Sequence, residues 1–335
     1  MNPFKLNNEI IPKASINSVY IDDVLASDLF RPTIIIEEIK KYRELLDIDN
    51  GVKDDDILFV FNKKLNCNEI EINDLANKIA VSFGDKLAQV ILTLKKPSKL
   101  SIDNRINWNI EHWNYWKSIE SIYLVGGLTS PILTNIFYSR ITKLLEINNV
   151  PKFNLSFIDG SSELGTKGLS NLVRNGEYLL FDFGQTYIKR RHYIKENDCT
   201  IIDTVLTAIK SKFLFYKERK EDEVKALAYR LDMYIIDTIL DTVNTVNFKG
   251  NSFIIGIANY VNKGKIYSAR GGYGKLAHVE DNYQAYLSCV LTTKLGRKIS
   301  VKLYHDTSAM ALNFMNVKNC AVISLGTAFG IGFPE

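Results

Sequence analysis

Hydrophobic and polar positions repeat along the chain with two periods, about 3.6 residues in some stretches and two in others. Apolar residues at helical spacing predict a helix over 72–95. Further helices are predicted over 131–146, 162–173, 221–246, 281–294 and 307–315. Strands are predicted over 121–125, 152–158, 253–258 and 299–304. A hairpin followed by a third strand is predicted from residue 178, and a strand, a loop and a second strand are predicted from Ala321. A short apolar run covers 57–62. This alternation predicts α/β layers rather than a helical bundle or a β-sandwich.

Composition narrows the class of protein. With 335 residues and 46% hydrophobic content, the chain can form two domains. A net charge of +4 with one short basic run, Lys189 to Arg191, argues against nucleic acid as a partner. The N-terminus lacks the apolar core of a signal peptide, and the longest uncharged stretch (121–139) is broken by glycine and proline, so we expect a cytoplasmic protein without a membrane partner. Four scattered cysteines predict neither disulfides nor a thiolate zinc site.

The stretch FDFGQT (181–186) places an acid at the end of a predicted buried strand. A carboxylate is costly there unless it is paired or holds a cation. Small turn residues let backbone N–H groups approach a phosphate, Asp182 could hold Mg²⁺ through water, and Thr186 could offer its hydroxyl. The same pattern also fits an ordinary hairpin turn.

A second acid, Asp306 in YHDTSAMAL (304–312), follows a predicted strand and begins a helix. This is the edge of an α/β sheet at which ligands bind, and also a position where Asp306 or Thr307 would simply cap the helix. As a catalytic group, Asp306 would accept the proton of a hydroxyl that attacks phosphorus.

Two glycine-rich stretches complete the set. The loop from Gly326 to Gly332 could surround phosphates, or form a plain hairpin. The stretch YLVGGLTSPIL (123–133) would let a flat ring or sugar approach the backbone at Gly126 and Gly127, or serve tight helix–strand packing.

Together these stretches resemble the phosphate-1, catalytic Asp, phosphate-2 and adenosine motifs of the sugar kinase, actin and heat-shock ATPase superfamily, and most of all the ROK (repressor, ORF, kinase) and hexokinase-like sugar kinases. Here the adenosine-like stretch, with GSSELGTKGLSNLV (160–173) after it, precedes phosphate-1. The resemblance therefore implies a circularly permuted α/β protein of two RNase H-like, actin-like ATPase lobes around a nucleotide cleft. The nucleotide lobe would be 1–175 plus 319–335 and the phosphate-1 and acceptor lobe 176–318, with 1–55 unmatched. A truncated kinase behind an unrelated domain would explain neither Gly126-Gly127 nor Gly165 and Gly168.

The activity that the resemblance implies is ATP-dependent phosphorylation of a hydroxyl of a sugar or sugar derivative, with Asp306 as general base, ATP and Mg²⁺ as cofactors, and Asp182 as the metal-organising carboxylate. A homodimer is compatible with this prediction. The implied nucleotide and phosphate contacts are Asp182, Gly184, Gln185, Thr186, Gly326, Thr327, Ala328, Gly330, Gly126 and Gly127. The implied substrate contacts are His305, Arg270, Tyr273 and Lys275, the last three in a predicted acceptor loop (259–280) that could equally be a solvated surface loop.

Several positions depart from the family pattern. His305 replaces the usual Asn before the catalytic Asp, Phe314 lies near the place of a usual Glu, and Gln185 replaces a glycine. The zinc segment of ROK proteins is missing. These departures leave open a second function, a catalytically weak or inactive switch protein that binds nucleotide or sugar. Scattered cysteines argue against a third, an activator ATPase with an iron–sulfur cluster.

Overall fold

The structure is a computed structural model that describes residues 1–158, 163–214, 220–267 and 271–334. Its helices are α1 (Ala26–Leu29), α2 (Pro32–Lys41), α3 (Asp54–Lys64), α4 (Ile70–Lys95), α5 (Lys99–Asn104), α6 (Ile110–Ser118), α7 (Pro131–Ile147), α8 (Leu164–Ser170), α9 (Glu221–Thr245), α10 (Tyr283–Leu295) and α11 (Asp306–Ala311). Its strands are β1 (Lys5–Leu6), β2 (Glu9–Ile10), β3 (Tyr20–Ile21), β4 (Val24–Leu25), β5 (Ser121–Val125), β6 (Asn154–Phe157), β7 (Gly176–Phe183), β8 (Tyr187–Glu196), β9 (Cys199–Lys210), β10 (Ser252–Ile257), β11 (Val261–Asn262), β12 (Lys265–Ile266), β13 (Ser300–His305), β14 (Cys320–Leu325) and β15 (Phe329–Gly332). Short 3-10 helices cover Pro12–Ala14, Ile16–Ser18, Gly272–His278 and Leu312–Phe314.

The chain divides into two compact units. The first unit comprises Met1–Pro3, Lys13–Ser162 and Val317–Ile331, and the second comprises Phe4–Pro12, Glu163–Asn316 and Gly332–Glu335. Residues 163–175, which the resemblance assigns to the nucleotide lobe, lie in the second unit because α8 packs against β7 and α11.

The sheet of the first unit joins segments that are far apart in sequence. Its strand order is β15-β14-β5-β6, and β14, β5 and β6 run parallel. Ile323 of β14 therefore lies beside Leu124 of β5, which in turn lies beside Phe157 of β6. Each of the four strands contributes buried apolar residues to the core of this unit.

The long helix α4 packs along α7. Gly84 allows this close approach, because a Cβ at that position would lie 2.9 Å from Cγ of Arg140 and 3.3 Å from the ring of Phe137. The apolar run at 57–62 forms part of α3, where Ile57 and Phe61 are buried one helical turn apart while Phe59 is exposed.

The three tryptophans of the chain cluster in the first unit. Trp108, Trp113 and Trp116 are all buried, and the rings of Trp108 and Trp113 meet edge to face at 4.8 Å. Trp108 Nε1 donates to the carbonyl of Lys13 at 2.7 Å, which attaches the segment from Lys13 to this cluster.

The second unit contains a five-stranded mixed sheet in the order β13-β10-β7-β8-β9. The strands β7, β8 and β9 form an antiparallel meander, while β10 and β13 run parallel to β7. One face of the sheet packs its phenylalanine and isoleucine side chains against α9 and α10. The other face packs Leu180 and Ile254 against Leu169 of α8 and Ala309 of α11.

The α/β class that the sequence predicts is therefore confirmed, with both parallel and antiparallel strands in the sheets. Among the described residues, every helix is too short or too polar to cross a membrane.

Candidate functional site

Two carboxylates lie at one edge of the second-unit sheet. Asp182 is near the end of β7, and Asp306 directly follows β13. These parallel strands flank β10, whose Gly256 pairs with Asp182 on one side and Tyr304 on the other. A Cβ at Gly256 would lie 3.8 Å from Cα of Asp306. The carboxyl ends of parallel strands are where α/β proteins bind ligands.

Asp182 is buried, with 1% of its surface exposed. Its Oδ2 accepts a hydrogen bond from Lys189 Nζ at 3.1 Å, but Oδ1 is buried without a hydrogen-bond partner in the part of the chain that the structure describes. Burial raises the pKa of Asp182, Lys189 opposes this, and the charge of Asp306 raises it further. A buried oxygen without a donor is unfavourable, and a cation or a bound water would satisfy it.

Lys189 belongs to this site, although the sequence marked it only as part of a basic run. The β7–β8 hairpin places it directly opposite Asp182. The signal in the sequence is the spacing, because a strand that turns at Gly184 to Thr186 returns to the level of Asp182 at Lys189. Recognising it requires the exact register of the hairpin.

Asp306 begins α11 and has 21% of its side chain exposed. Its Oδ1 accepts hydrogen bonds from the backbone N of Thr307 at 2.6 Å and from Thr307 Oγ1 at 3.1 Å. Burial raises the pKa of Asp306 to about 6, with opposing contributions from Thr307 and Lys189. The carboxylate is therefore mostly ionised at pH 7 and close to the pKa that suits a general base.

His305, the residue before Asp306, is buried and stacks on Tyr260 with ring centroids 4.8 Å apart. Its Nδ1 accepts a hydrogen bond from the backbone N of Ser308 at 3.3 Å and caps α11. Its Nε2 lies 3.4 Å from Oδ1 of Asp306. Burial lowers the pKa of His305 to about 3, so the imidazole is neutral at physiological pH.

The turn between β7 and β8 contains the predicted phosphate contacts Gly184, Gln185 and Thr186. The carbonyl of Gly184 accepts hydrogen bonds from Ser211 Oγ at 2.8 Å and Tyr273 OH at 3.1 Å. Gln185 Nε2 donates to the carbonyl of Ala258 at 3.3 Å, while Thr186 is exposed. The turn is thus held from three sides and leaves Thr186 accessible.

Tyr273 and Lys275, predicted as substrate contacts, are both buried and hydrogen-bond within the protein. Tyr273 OH donates to Gly184, and Lys275 Nζ donates to the carbonyls of Phe213, Leu214 and Gly272. Burial lowers the pKa of Lys275 to about 8. Both side chains stabilise the loop from inside, since the segment 272–278 is a 3-10 helix rather than a solvated loop. Arg270 lies outside the described residues.

The two glycine stretches of the first unit lie next to each other. Gly126 follows β5 with a φ of 115°, and a Cβ there would lie 3.0 Å from the backbone of Leu325, the last residue of β14. Gly127 has open space beside it, Gly326 follows β14, and Gly330 lies within β15. Between them Thr327 and Ala328 are exposed.

Gly165 and Gly168, expected downstream of the adenosine motif, lie instead against the carboxylate site of the second unit. A Cβ at Gly165 would lie 2.5 Å from Oδ2 of Asp182, and one at Gly168 would overlap the carbonyl oxygen of Ala309 in α11. The two glycines let α8 pack directly against Asp182 and α11.

The donor set can be tested against Mg²⁺. Among the described residues, no group of three or more His, Cys, Asp or Glu could hold a metal ion. Mg²⁺ needs no such cluster, because it is usually held by one or two carboxylates together with water and substrate phosphates. Asp182, with its unpaired Oδ1, fits that kind of site.

No protein-family model matches this chain, and no curated protein matches it in sequence.

Proposed function

We propose that the protein is an ATP-dependent phosphotransferase that phosphorylates a hydroxyl group of a sugar or sugar derivative. The observation that carries the proposal is the pair of carboxylates at one sheet edge, with Asp306 partly exposed and Asp182 buried beside Lys189 with one free oxygen. Such a pair separates the two tasks of phosphoryl transfer, which are deprotonating the acceptor and organising charge.

Asp306 would act as the general base. Its raised pKa, about 6, lets it take the proton of an acceptor hydroxyl near neutral pH and hold that proton as the oxygen attacks phosphorus. Its partial exposure gives a substrate access to the carboxylate.

Asp182 and Lys189 would handle the charge of the phosphates. Mg²⁺, when bound with ATP, neutralises charge that develops on the transferred phosphoryl group. Asp182 Oδ1 would hold that ion directly or through water, while Lys189 keeps Oδ2 fixed and adds a positive charge at the same place. The exposed Thr186 would offer its hydroxyl to a phosphate.

The strand order of the second unit supports the proposed fold. A meander of three antiparallel strands, extended past its first strand by two parallel ones, is the arrangement of an RNase H-like lobe. In the first unit, β14 near the end of the sequence lies beside β5, as a circularly permuted order of elements requires. Gly126 and the loop from Gly326 stay predicted nucleotide contacts of that unit.

A second candidate is a switch protein that binds nucleotide or sugar without turnover. It is favoured by the burial of Tyr273 and Lys275, because two predicted acceptor contacts are engaged within the protein.

The test is ATP consumption with a panel of sugars, amino sugars and polyols. Wild type is compared with Asp306→Asn and with Asp222→Asn, which changes an exposed carboxylate of the same unit. We expect turnover stimulated by one class of acceptor, reduced at least about a hundredfold by Asp306→Asn and unchanged by Asp222→Asn. Tight ATP binding without stimulation by any acceptor would contradict the kinase and support the switch.

A further inference from the structure

We infer that His305 is a positioning residue that fixes the carboxylate of Asp306 through Oδ1, so that Oδ2 is the oxygen that receives the substrate proton. This inference rests on the proposed function, since it assigns the proton to one atom of the proposed base. It also differs from the role predicted from the sequence, in which His305 contacts the substrate.

The contacts of Asp306 are strongly asymmetric. Both described hydrogen bonds to its side chain, from the backbone N and Oγ1 of Thr307, are made to Oδ1. Nε2 of His305 approaches the same oxygen at 3.4 Å. An oxygen that accepts several donors is less basic, so the proton from a substrate goes to Oδ2.

The tautomer of His305 follows from its other nitrogen. Nδ1 accepts the backbone N–H of Ser308, which requires Nδ1 to carry no proton. A neutral imidazole then carries its single proton on Nε2, the atom that lies beside Asp306. His305 therefore has its N–H 3.4 Å from Oδ1, close to the carboxylate but outside hydrogen-bond geometry, while it remains uncharged.

The ring of His305 is held in this orientation by its surroundings. Its plane stacks on Tyr260 within 8° of parallel, and 7% of its surface is exposed. Tyr260 lies just after β10, and Gln185 of the phosphate turn binds the carbonyl of Ala258, two residues before it. A side chain fixed by stacking and by a cap loses little further freedom when it orients a neighbour.

The effects of nearby charged groups on the pKa of Asp306 must be distinguished from the effect of His305. Lys189 of β8 lowers the pKa of Asp306, and Asp182 of β7 is the nearby acid. Neither changes in the variants below, so a difference between these variants reports on His305.

Two substitutions divide the functions of His305. His305→Asn keeps an oxygen near the position of Nδ1, so it can still cap α11, but it has no donor near Nε2. His305→Gln places an amide N–H near Nε2 but loses the cap. We expect His305→Asn to raise the pKa of Asp306 by about 1, because it removes the N–H dipole beside the ionised carboxylate, and His305→Gln to keep the pKa near the wild-type value.

The pKa of Asp306 can be measured without an activity assay. The free energy of unfolding is determined between pH 4 and pH 8 for each protein and for the same protein with Asp306→Asn added, and the difference between the two gives the pKa. If His305 only caps α11, the pKa of Asp306 should be unchanged in His305→Asn and altered in His305→Gln. That result overturns the inference. If either His305 variant fails to fold, Tyr260→Leu and its control Tyr260→Phe test the same contact, because only Tyr260→Leu removes the stacked ring. An unchanged pKa of Asp306 in Tyr260→Leu also overturns it.

Kinetics then separate this inference from the proposed function. We expect kcat to fall about tenfold in His305→Asn, with KM for ATP unchanged, and to remain near wild type in His305→Gln. If the pKa depends on His305 but wild type transfers no phosphate, the proposed function fails while the positioning contact stands. If wild type transfers phosphate and the pKa does not depend on His305, the inference fails and the function stands.

Discussion

Single residues at the carboxylate site reduce the stability of the fold. Burial raises the pKa of both Asp182 and Asp306, which means that ionisation of either group is less favourable in the folded chain than in the unfolded one. The contribution of Asp306 to the free energy of unfolding is therefore most favourable below its unfolded pKa of 3.8, where the group is protonated in both states. This contribution is lost as the pH rises through about 6. At pH 7 the ionised carboxylate reduces the stability of the fold, and the proposed function requires this ionised form.

Replacing Asp306 by Asn should therefore stabilise the protein while it removes the proposed base. A rise in pKa from 3.8 to about 6 corresponds to at most about 3 kcal/mol, and we expect an increase of about 1–3 kcal/mol in the free energy of unfolding at pH 7. Urea unfolding without Mg²⁺ measures it, and the gain should shrink as the pH falls towards 4. A gain that is the same at pH 4 and pH 7 would show that ionisation of Asp306 is not its cause.

Removing the positive charge of Lys189 beside Asp182 should destabilise the protein. Lys189→Met leaves a buried carboxylate without its ion pair, so we expect a loss of about 1–3 kcal/mol in the free energy of unfolding and weaker ATP binding. Lys189→Arg is the matched control, because it keeps the charge. Calorimetry and nucleotide titration follow both variants, and equal stability of Lys189→Met and wild type would contradict the importance of this pair.

At the scale of elements, the packing of α8 depends on its two glycines, Gly165 and Gly168. Gly168→Ala would place a methyl group on the carbonyl oxygen of Ala309, and the backbone of α8 or α11 would have to move. We expect a loss of about 2 kcal/mol or more in stability, typical of overpacking. Gly165→Ala would place a methyl group 2.5 Å from Oδ2 of Asp182, so it should displace the buried carboxylate and also reduce stability.

Gly127→Ala is the stability control for both substitutions. Among the described residues other than its two chain neighbours, none has an atom within 4 Å of the added methyl group, so stability should change by less than about 0.5 kcal/mol. Thermal unfolding of the three variants is sufficient to rank them. If Gly168→Ala were as stable as Gly127→Ala, α8 would not pack on α11 as described.

The long elements could be predicted from the sequence, and the short ones could not. The helix predicted over 72–95 is Ile70–Lys95, and that over 221–246 is Glu221–Thr245, because each has a sustained apolar face. The two-residue strands β1 to β4 have no such pattern, and they depend on contacts made elsewhere in the fold.

The positions of Asp182 and Asp306 could likewise be predicted, since parallel strands bring their ends to one edge of a sheet. The pairing of Lys189 needed the register of the hairpin. The burial of Tyr273 and Lys275 needed the packing of a loop whose sequence resembles an exposed one.

For the whole molecule, the order of the elements can be tested by rearranging it. The rings of Phe4 and Phe333 stack with centroids 5.7 Å apart, so a short Gly-Ser linker can join Phe333 to Phe4. New ends can be opened between Asn175 and Gly176, two exposed residues at the start of β7. We expect this rearranged protein to fold, with a Tm within about 5 °C of wild type, and to keep its activity. The control is the original chain order with the same linker added at one end. If the control is soluble and the rearranged protein is insoluble, the permuted order is contradicted.

The tryptophan cluster makes the two units distinguishable by fluorescence. All three tryptophans belong to the first unit, and the carboxylate pair belongs to the second, whose only intrinsic fluorophores of note are tyrosines. Tryptophan emission during denaturation therefore reports the melting of one unit, whereas circular dichroism reports both. Separate transitions would mean that each unit unfolds alone. A change in tryptophan emission on adding ATP would support nucleotide binding in the first unit, where Gly126 and Gly326 are predicted contacts.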